Sequence, residues 1–221
     1  MENIIEIKNL YKIYTVKGAE PLNAIDDLSL NVKEGEFVAI KGVSGSGKTT
    51  LLNIIGTLDS PTKGSVKILG KEISKMKPGQ LAAFRNDNIG FVLQDFALIP
   101  YNTGYENIEV PLLFTHKKIN HKEMIEKIAK DIEIEDLLKQ KVNTMSGGQK
   151  QRVAIARALV NDPKIILADE PTGALDNKTK KIIIDMLRSV ADSGKTVIMV
   201  THDDKAASVA DRIITISDGK I

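Results

Sequence analysis

The 221-residue sequence predicts an α/β fold with a mainly parallel sheet, an antiparallel β region at its N-terminal end and an inserted helical segment. Three observations predict it. Phe37-Val38-Ala39-Ile40 is a β-favouring run that passes directly into a glycine-rich loop and then an apolar stretch over 50–58, which reads as strand, loop and helix. Short apolar runs at 165–168, 196–200 and 212–217 alternate with helical stretches at 149–160 and 178–190, the order expected of parallel strands covered on both faces. Between these two halves, residues 94–145 change in character.

Taken in order, Ile5, Ile7, Val38 and Ile40 fall in short β runs over 4–40, with Lys33-Glu34-Gly35-Glu36 as a turn. In the stretch 94–145, Asn120 can cap a helix with Glu123 three positions on. Met124, Ile125, Ile128, Ala129 and Ile132 then recur at helical spacing. The expected organisation is one domain over 1–221, with its core in 1–93 and 146–221 and a helical subdomain in 94–145. No internal repeat or low-complexity linker is visible.

Composition narrows the function classes. With 42% apolar and 27% charged residues the chain can bury a sizeable core. Its 31 basic and 29 acidic residues leave a net charge of +2, which is no electrostatic footprint for nucleic acid, so no such partner is expected. Cysteine is absent, which excludes disulfides and thiolate ligands and fits a reducing compartment. Met1-Glu2-Asn3-Ile4 lacks a leader pattern, and no run approaches the roughly 18 apolar residues of a spanning helix. A soluble chain is expected, whose membrane role comes through a partner.

The chemistry begins at Gly42-Val43-Ser44-Gly45-Ser46-Gly47-Lys48-Thr49, which satisfies G-x-x-x-x-G-K-[ST]. Its glycines let backbone N–H groups turn inward around phosphate oxygens, and the helix that follows points its positive end at them. Lys48 would reach the β- and γ-phosphates and the Thr49 hydroxyl would ligate Mg²⁺. This loop alone leaves GTPases, kinases and many ATPases open.

The run Ile165-Ile166-Leu167-Ala168 ends in Asp169-Glu170. A buried parallel strand delivers its last residues to the sheet edge where α/β proteins bind ligands. Asp169 would hold Mg²⁺, and Glu170 would polarise the attacking water as general base. A glutamate directly after the metal aspartate favours hydrolysis over transfer to another acceptor. A second anion site lies in Ser146-Gly147-Gly148-Gln149, where an S-x-x-Q capping box opens a helix behind bare glycines. Two phosphate cradles on one chain suggest that each copy completes its neighbour's site.

With Met145-Ser146-Gly147-Gly148-Gln149 followed by Lys150-Gln151-Arg152-Val153-Ala154-Ile155-Ala156-Arg157-Ala158-Leu159, the sequence resembles the ABC transporter ATPase family. The resemblance covers essentially the whole chain, with the motifs in the family's order, and implies the ABC ATPase fold. It implies that Gln94 is the Q-loop glutamine, touching Mg²⁺ or water and sensing a transmembrane partner. By the same resemblance, Ala174-Leu175-Asp176 is the D-loop, His202 the switch histidine at γ-phosphate, and Tyr14 the aromatic that stacks on adenine, with Tyr11 as its rival. The implied nucleotide-binding set is Tyr14, the loop from Gly42 through Thr49 with Thr50, Gln94, the Ser146–Gly147–Gly148–Gln149 signature and Asp176. Glu170, His202 and Lys48 form the catalytic set; Thr49, Gln94 and Asp169 the metal set. Met145 stands where leucine is usual and Gly173 where serine is frequent; neither change removes a phosphate-contacting atom. His116 and His121 read as solvated.

Within the family, Ser44 to Gly56, Leu58-Asp59-Ser60-Pro61-Thr62-Lys63-Gly64 and Ala168 to Asp176 are similar to the branch typified by MacB and LolD, the macrolide-exporter and lipoprotein-release ATPases. That likeness implies an ATP-hydrolysing homodimer using ATP and Mg²⁺ at the cytoplasmic face of a membrane. Its partners would be a permease and a periplasmic or extracellular adaptor. Efflux, antimicrobial-peptide resistance or lipoprotein release is the expected work, with a signalling or mechanotransmission role in cell division or stress as the alternative. The chain ends at Ile221 without the regulatory domain of some importer ATPases, which points away from those. Phe96, Leu98, Ile99 and Tyr101 make an apolar loop where a permease helix could dock.

Overall fold

A computed structural model of the chain describes residues 2–15, 18, 20–115, 118–173 and 175–221. His116 and Ala174 lie outside the described residues. Two sheets organise the rest. In the first, β1 (Asn3–Tyr14) pairs antiparallel with β2 (Leu22–Lys33) on one side and β4 (Lys63–Ile68) on the other, with the two-residue β5 (Lys71–Glu72) at the edge. Alternation explains its placement: Ile25, Leu28, Leu30 and Val32 of β2 face inward between exposed polar residues.

The second sheet has the order β6 (Ile89–Leu93), β7 (Ile165–Asp169), β8 (Thr196–Val200), β3 (Phe37–Lys41), β9 (Arg212–Thr215), every neighbour parallel. β7 and β8 are almost wholly apolar because both faces are covered. One face packs with the antiparallel sheet and α1 (Lys48–Ile55), whose Leu51, Leu52, Ile54 and Ile55 are buried. The other packs on α5 (Gly147–Leu159) and α6 (Asn177–Asp192) through Ile155, Ile183, Ile184 and Leu187. Between β5 and β6 runs α2 (Pro78–Asn88), which buries only Phe84.

The stretch after β6 carries α3 (Gly104–Glu109), a 3₁₀ segment (Val110–Phe114) and α4 (His121–Asp131). Asn120 caps α4 as its sequence position implies, accepting from the Glu123 N–H at 3.3 Å. Ile108, Leu112, Ile125, Ala129 and Leu137 form a cluster with Val153, Ala156 and Val160, so α5 is shared between this helical layer and the sheet. His121 is not simply solvated. The packing of α3 with α4 brings its Nδ1 to 3.1 Å from Glu109 Oε1.

Parallel register positions the functional residues. Leu93 lies opposite Asp169, Asp169 opposite Val200, and Val200 opposite Ile40. The residues that follow these four therefore leave the sheet along one edge: Gln94, Glu170, Thr201 with His202, and the glycine loop.

Candidate active site

The glycine loop hangs from the end of β3. Lys41 accepts the Ile216 N–H at 2.7 Å and Ser46 accepts the Gly219 N–H at 3.1 Å, so the turn around Gly219 braces the loop from behind. Gly47 has φ 100°, a left-handed backbone that opens α1, and a Cβ there would run into the Ala24 carbonyl. Gly42 is equally confined, by the Ile216 carbonyl and Ser46 Oγ. No side chain caps α1 and its first turn holds no carboxylate, which leaves its leading amides free for an anion. Ser46 Oγ is buried with no hydrogen-bond partner. A bare-backbone cradle with an orphaned hydroxyl and a cation fits phosphate. Lys48 Nζ donates to the Gly42 and Val43 carbonyls at 2.9 and 2.7 Å, folded over the loop it would serve.

Asp169 and Glu170 stand at the adjacent strand end. Burial pushes the Asp169 carboxyl above the usual range and Glu170 adds to this, against a hydrogen bond with Thr49 and the charge on Lys48. The Thr49–Asp169 contact thus joins the loop to the acidic strand. Glu170 adopts φ 44°, donates its N–H to the Val200 carbonyl at 2.9 Å, and places Oε1 2.9 Å from His202 Nδ1. A carboxylate and an imidazole in contact can hold a proton between them beside the cradle. The Gln94 amide lies over the turn beyond Glu170: a Cβ on Gly173 would stand 3.0 Å from its Nε2.

Other expected residues sit apart from this group. Tyr14 donates its hydroxyl to Asp59 Oδ2 at 2.7 Å, and the Lys12 ammonium lies 4.7 Å from its ring centre. One ring face is therefore taken by the ammonium. Tyr11 lies beside Asp27 instead, and burial together with that carboxylate raises its pKa. Ser146 and Gln149 close the predicted box, Ser146 N–H to Gln149 Oε1 at 2.8 Å and Gln149 N–H to Ser146 Oγ at 3.3 Å. Among the described residues, no hydrogen bond joins this box to the 42–49 loop. Asp176 caps α6, accepting from the Lys178 and Thr179 amides and from Thr179 Oγ1 at 2.6 Å.

Motif and spacing do not single out Arg157, yet it holds the loop that follows Gln94. From the last turn of α5 its guanidinium donates to the Phe96 carbonyl at 2.9 Å and to the Ala97 carbonyl, fixing the loop after Gln94. Burial lowers its pKa, opposed by Asp95. An arginine set among the apolar residues at the end of α5 is its only sign in the sequence.

Of the apolar loop residues, Leu98 packs on the helical cluster, whereas Ile99 and Tyr101 are exposed, Tyr101 to 79%. Test substitutions must respect that difference.

A strand–glycine loop–helix unit beside an Asp-Glu-tipped parallel strand defines a phosphate-loop nucleotide hydrolase. Similarity to known proteins narrows the class. The ABC transporter family profile matches residues 25–173. The chain is 48% identical over 224 residues to the ABC transporter ATP-binding protein MJ0796 of Methanocaldococcus jannaschii, covering 99% of this chain and 95% of that protein. It is 43% identical over 219 residues to YknY of Bacillus subtilis, with the same two shares. Against the macrolide export ATP-binding/permease protein MacB of Mannheimia succiniciproducens it is 44% identical over 220 residues, 99% of this chain but 34% of that protein. A solved dimeric, post-hydrolysis structure of the MJ0796 cassette with ADP and Pi matches at TM-score 0.90 and 46% identity, covering 98% of this chain and 96% of that one. The chain belongs to the ABC transporter family, as an ATP-binding subunit that hydrolyses ATP.

Proposed function

We propose that two copies close head to tail around two ATP molecules and thereby drive a membrane permease of the MacB type. One observation carries this reading: the chain presents two anion-receptive helix ends, α1 and α5, that no hydrogen bond among the described residues connects. A head-to-tail pair supplies the second end to the first, and solved MJ0796 structures that match this chain are dimeric. Each nucleotide would lie between residues 42–50 of one copy and Ser146, Gly147, Gly148 and Gln149 of the other, with Tyr14 against the base and Asp176 at the seam.

In each site Lys48 would leave the Gly42 and Val43 carbonyls for the β- and γ-phosphates, exchanging two backbone acceptors for charged ones. Glu170 would take the proton of the attacking water, and His202 would hold Glu170 and the γ-phosphate in line. Thr49, Asp169 and Gln94 supply oxygen donors that suit Mg²⁺, which would neutralise phosphate charge when bound. The hydroxyl, carboxylate and amide leave most of its coordination to phosphate and water. Among the described residues no group of three His, Cys, Asp or Glu side chains offers an alternative cage.

The segment 94–145 would swing as a helical subdomain on closure. Beside it, a groove of about 910 Å³ lined by Leu58, Phe91, Leu93, Leu113 and Phe114 would receive a permease segment, with Tyr101 as a further contact. No helix among the described residues is long and apolar enough to cross a membrane; in this reading the chain is held at the cytoplasmic face by that permease. The MacB relatives, named for macrolide export, support an efflux role; peptide cargo and an adaptor outside the membrane would fit the same reading. Glu170→Gln tests the core of the reading. It is expected to keep ATP affinity, lose turnover and accumulate an ATP-bound dimer in light scattering; wild-type turnover or a persistent monomer refutes it. Flux into vesicles with the co-purified permease separates transport from signalling.

A further inference from the structure

Gln151 is fully buried in α5, beyond the signature residues. Its Nε2 donates to the Pro171 carbonyl at 2.8 Å, while its Oε1 is buried with no partner. The amide orientation is fixed by chemistry, because Pro171 offers only an acceptor. An unpaired buried acceptor is unfavourable, and a leucine of similar size would avoid it. The glutamine therefore supplies something an apolar side chain lacks, and the only thing it supplies is the donor to Pro171.

Pro171 follows Glu170 directly. The turn they open is closed by Gly173 N–H to the Glu170 carbonyl at 3.0 Å, and Glu170 holds a left-handed φ of 44° that a non-glycine residue adopts only under constraint. Among the described residues, two bonds from outside to the backbone of the turn supply that constraint. One is the Glu170 N–H to the Val200 carbonyl, and the other is Gln151. Proline has no N–H, so its carbonyl is the one backbone group by which this point of the turn can be held. We propose that Gln151 is a positioning residue for hydrolysis, holding the strained Glu170 turn so that the carboxylate stays aimed at His202 and the attacking water. The proposal rests on Glu170 as general base. It gives the helix that offers Ser146 to a partner's nucleotide a second task in its own chain.

Two substitutions in the full-length chain test it. Gln151→Leu keeps the volume and removes the donor; kcat should fall about tenfold while the KM and Kd for ATP stay within about twofold. Gln151→Glu can donate only when protonated, and burial favours that form. Its kcat relative to wild type should therefore rise as pH falls from about 8 to about 6, whereas the leucine ratio stays flat. Wild-type kcat in Gln151→Leu, a loss confined to ATP affinity, or a flat glutamate ratio overturns the proposal. If the leucine variant does not fold, the glutamate ratio alone decides; if neither folds, Gln151 is structural and the proposal is wrong. Glu170→Gln measured alongside separates the two readings. Turnover in that variant sinks the general-base assignment itself, whereas its inactivity beside a wild-type Gln151→Leu sinks only the positioning role.

Discussion

Removing the Arg157 guanidinium should loosen the loop after Gln94 while leaving the sheet intact. Phe96 and Ala97 hold φ of 64° and 45°, left-handed values that each cost a non-glycine residue roughly 1 kcal/mol. Against this, Arg157 donates to both their carbonyls. The half-buried bond to Phe96 contributes about 2 kcal/mol and the solvent-facing bond to Ala97 about 1 kcal/mol. The two bonds together exceed the strain they offset, and the Phe96 N–H bond to the Leu93 carbonyl with the packing of Leu98 on the helical cluster adds to the closed loop. Arg157→Ala forfeits about 3 kcal/mol of local stability, roughly a hundredfold in the opening equilibrium. Amide hydrogen exchange reads this directly. The Phe96 N–H, bonded to the Leu93 carbonyl at 3.1 Å, should exchange about a hundredfold faster. The Ile99 N–H, held at 2.7 Å by the buried Asn107, should change far less and serves as the internal control. A Phe96 amide exchanging at the wild-type rate in a folded Arg157→Ala protein would refute the reasoning.

Asp169→Asn should raise the melting temperature of the nucleotide-free protein near neutral pH. The folded carboxyl titrates above its unfolded value, so what it contributes to stability is present at low pH and lost as pH rises through the folded pKa. The advantage of asparagine should therefore shrink as pH falls toward about 4, and the added stabilisation by Mg²⁺ with ATP should disappear; a melting temperature below wild type at neutral pH contradicts this. Lys48→Ala should weaken ATP binding about tenfold to a hundredfold, the worth of charge-assisted bonds to phosphate, as measured by calorimetry. Leu98→Asp should lower the melting temperature, because Leu98 packs on the helical cluster. Tyr101→Asp, at a residue 79% exposed, should leave that temperature unchanged and reduce co-purification of the permease.

Much of the site is legible in the amino-acid sequence. Its parts are backbone devices written in short contiguous strings: a strand end, bare glycines, a capping serine and a helix. The β3-to-α1 loop, the acidic tip of β7 and the Ser146–Gln149 box all form as their residues imply. The helix after the loop begins slightly earlier than its apolar pattern suggests, because Lys48 and Thr49 are polar yet helical. The stretch 63–93 carries no clear pattern. There α2 buries one residue and so has no apolar face to announce it. β6 carries Gly90, a poor strand former, because a Cβ there would meet the Ala158 carbonyl.

The sequence by itself determined the class of chemistry, since a phosphate cradle needs only local backbone freedom and a few fixed side chains. Tertiary structure alone decided which distant residues hold those parts in place. Arg157 on the Phe96 and Ala97 carbonyls, Gln151 on the Pro171 carbonyl and Tyr14 on Asp59 each pair a side chain with a partner far along the chain. Two of these three pairings are to carbonyl oxygens, which every residue carries. No pattern of residue types can therefore point to them; only the packing of α5 against the loops it secures does.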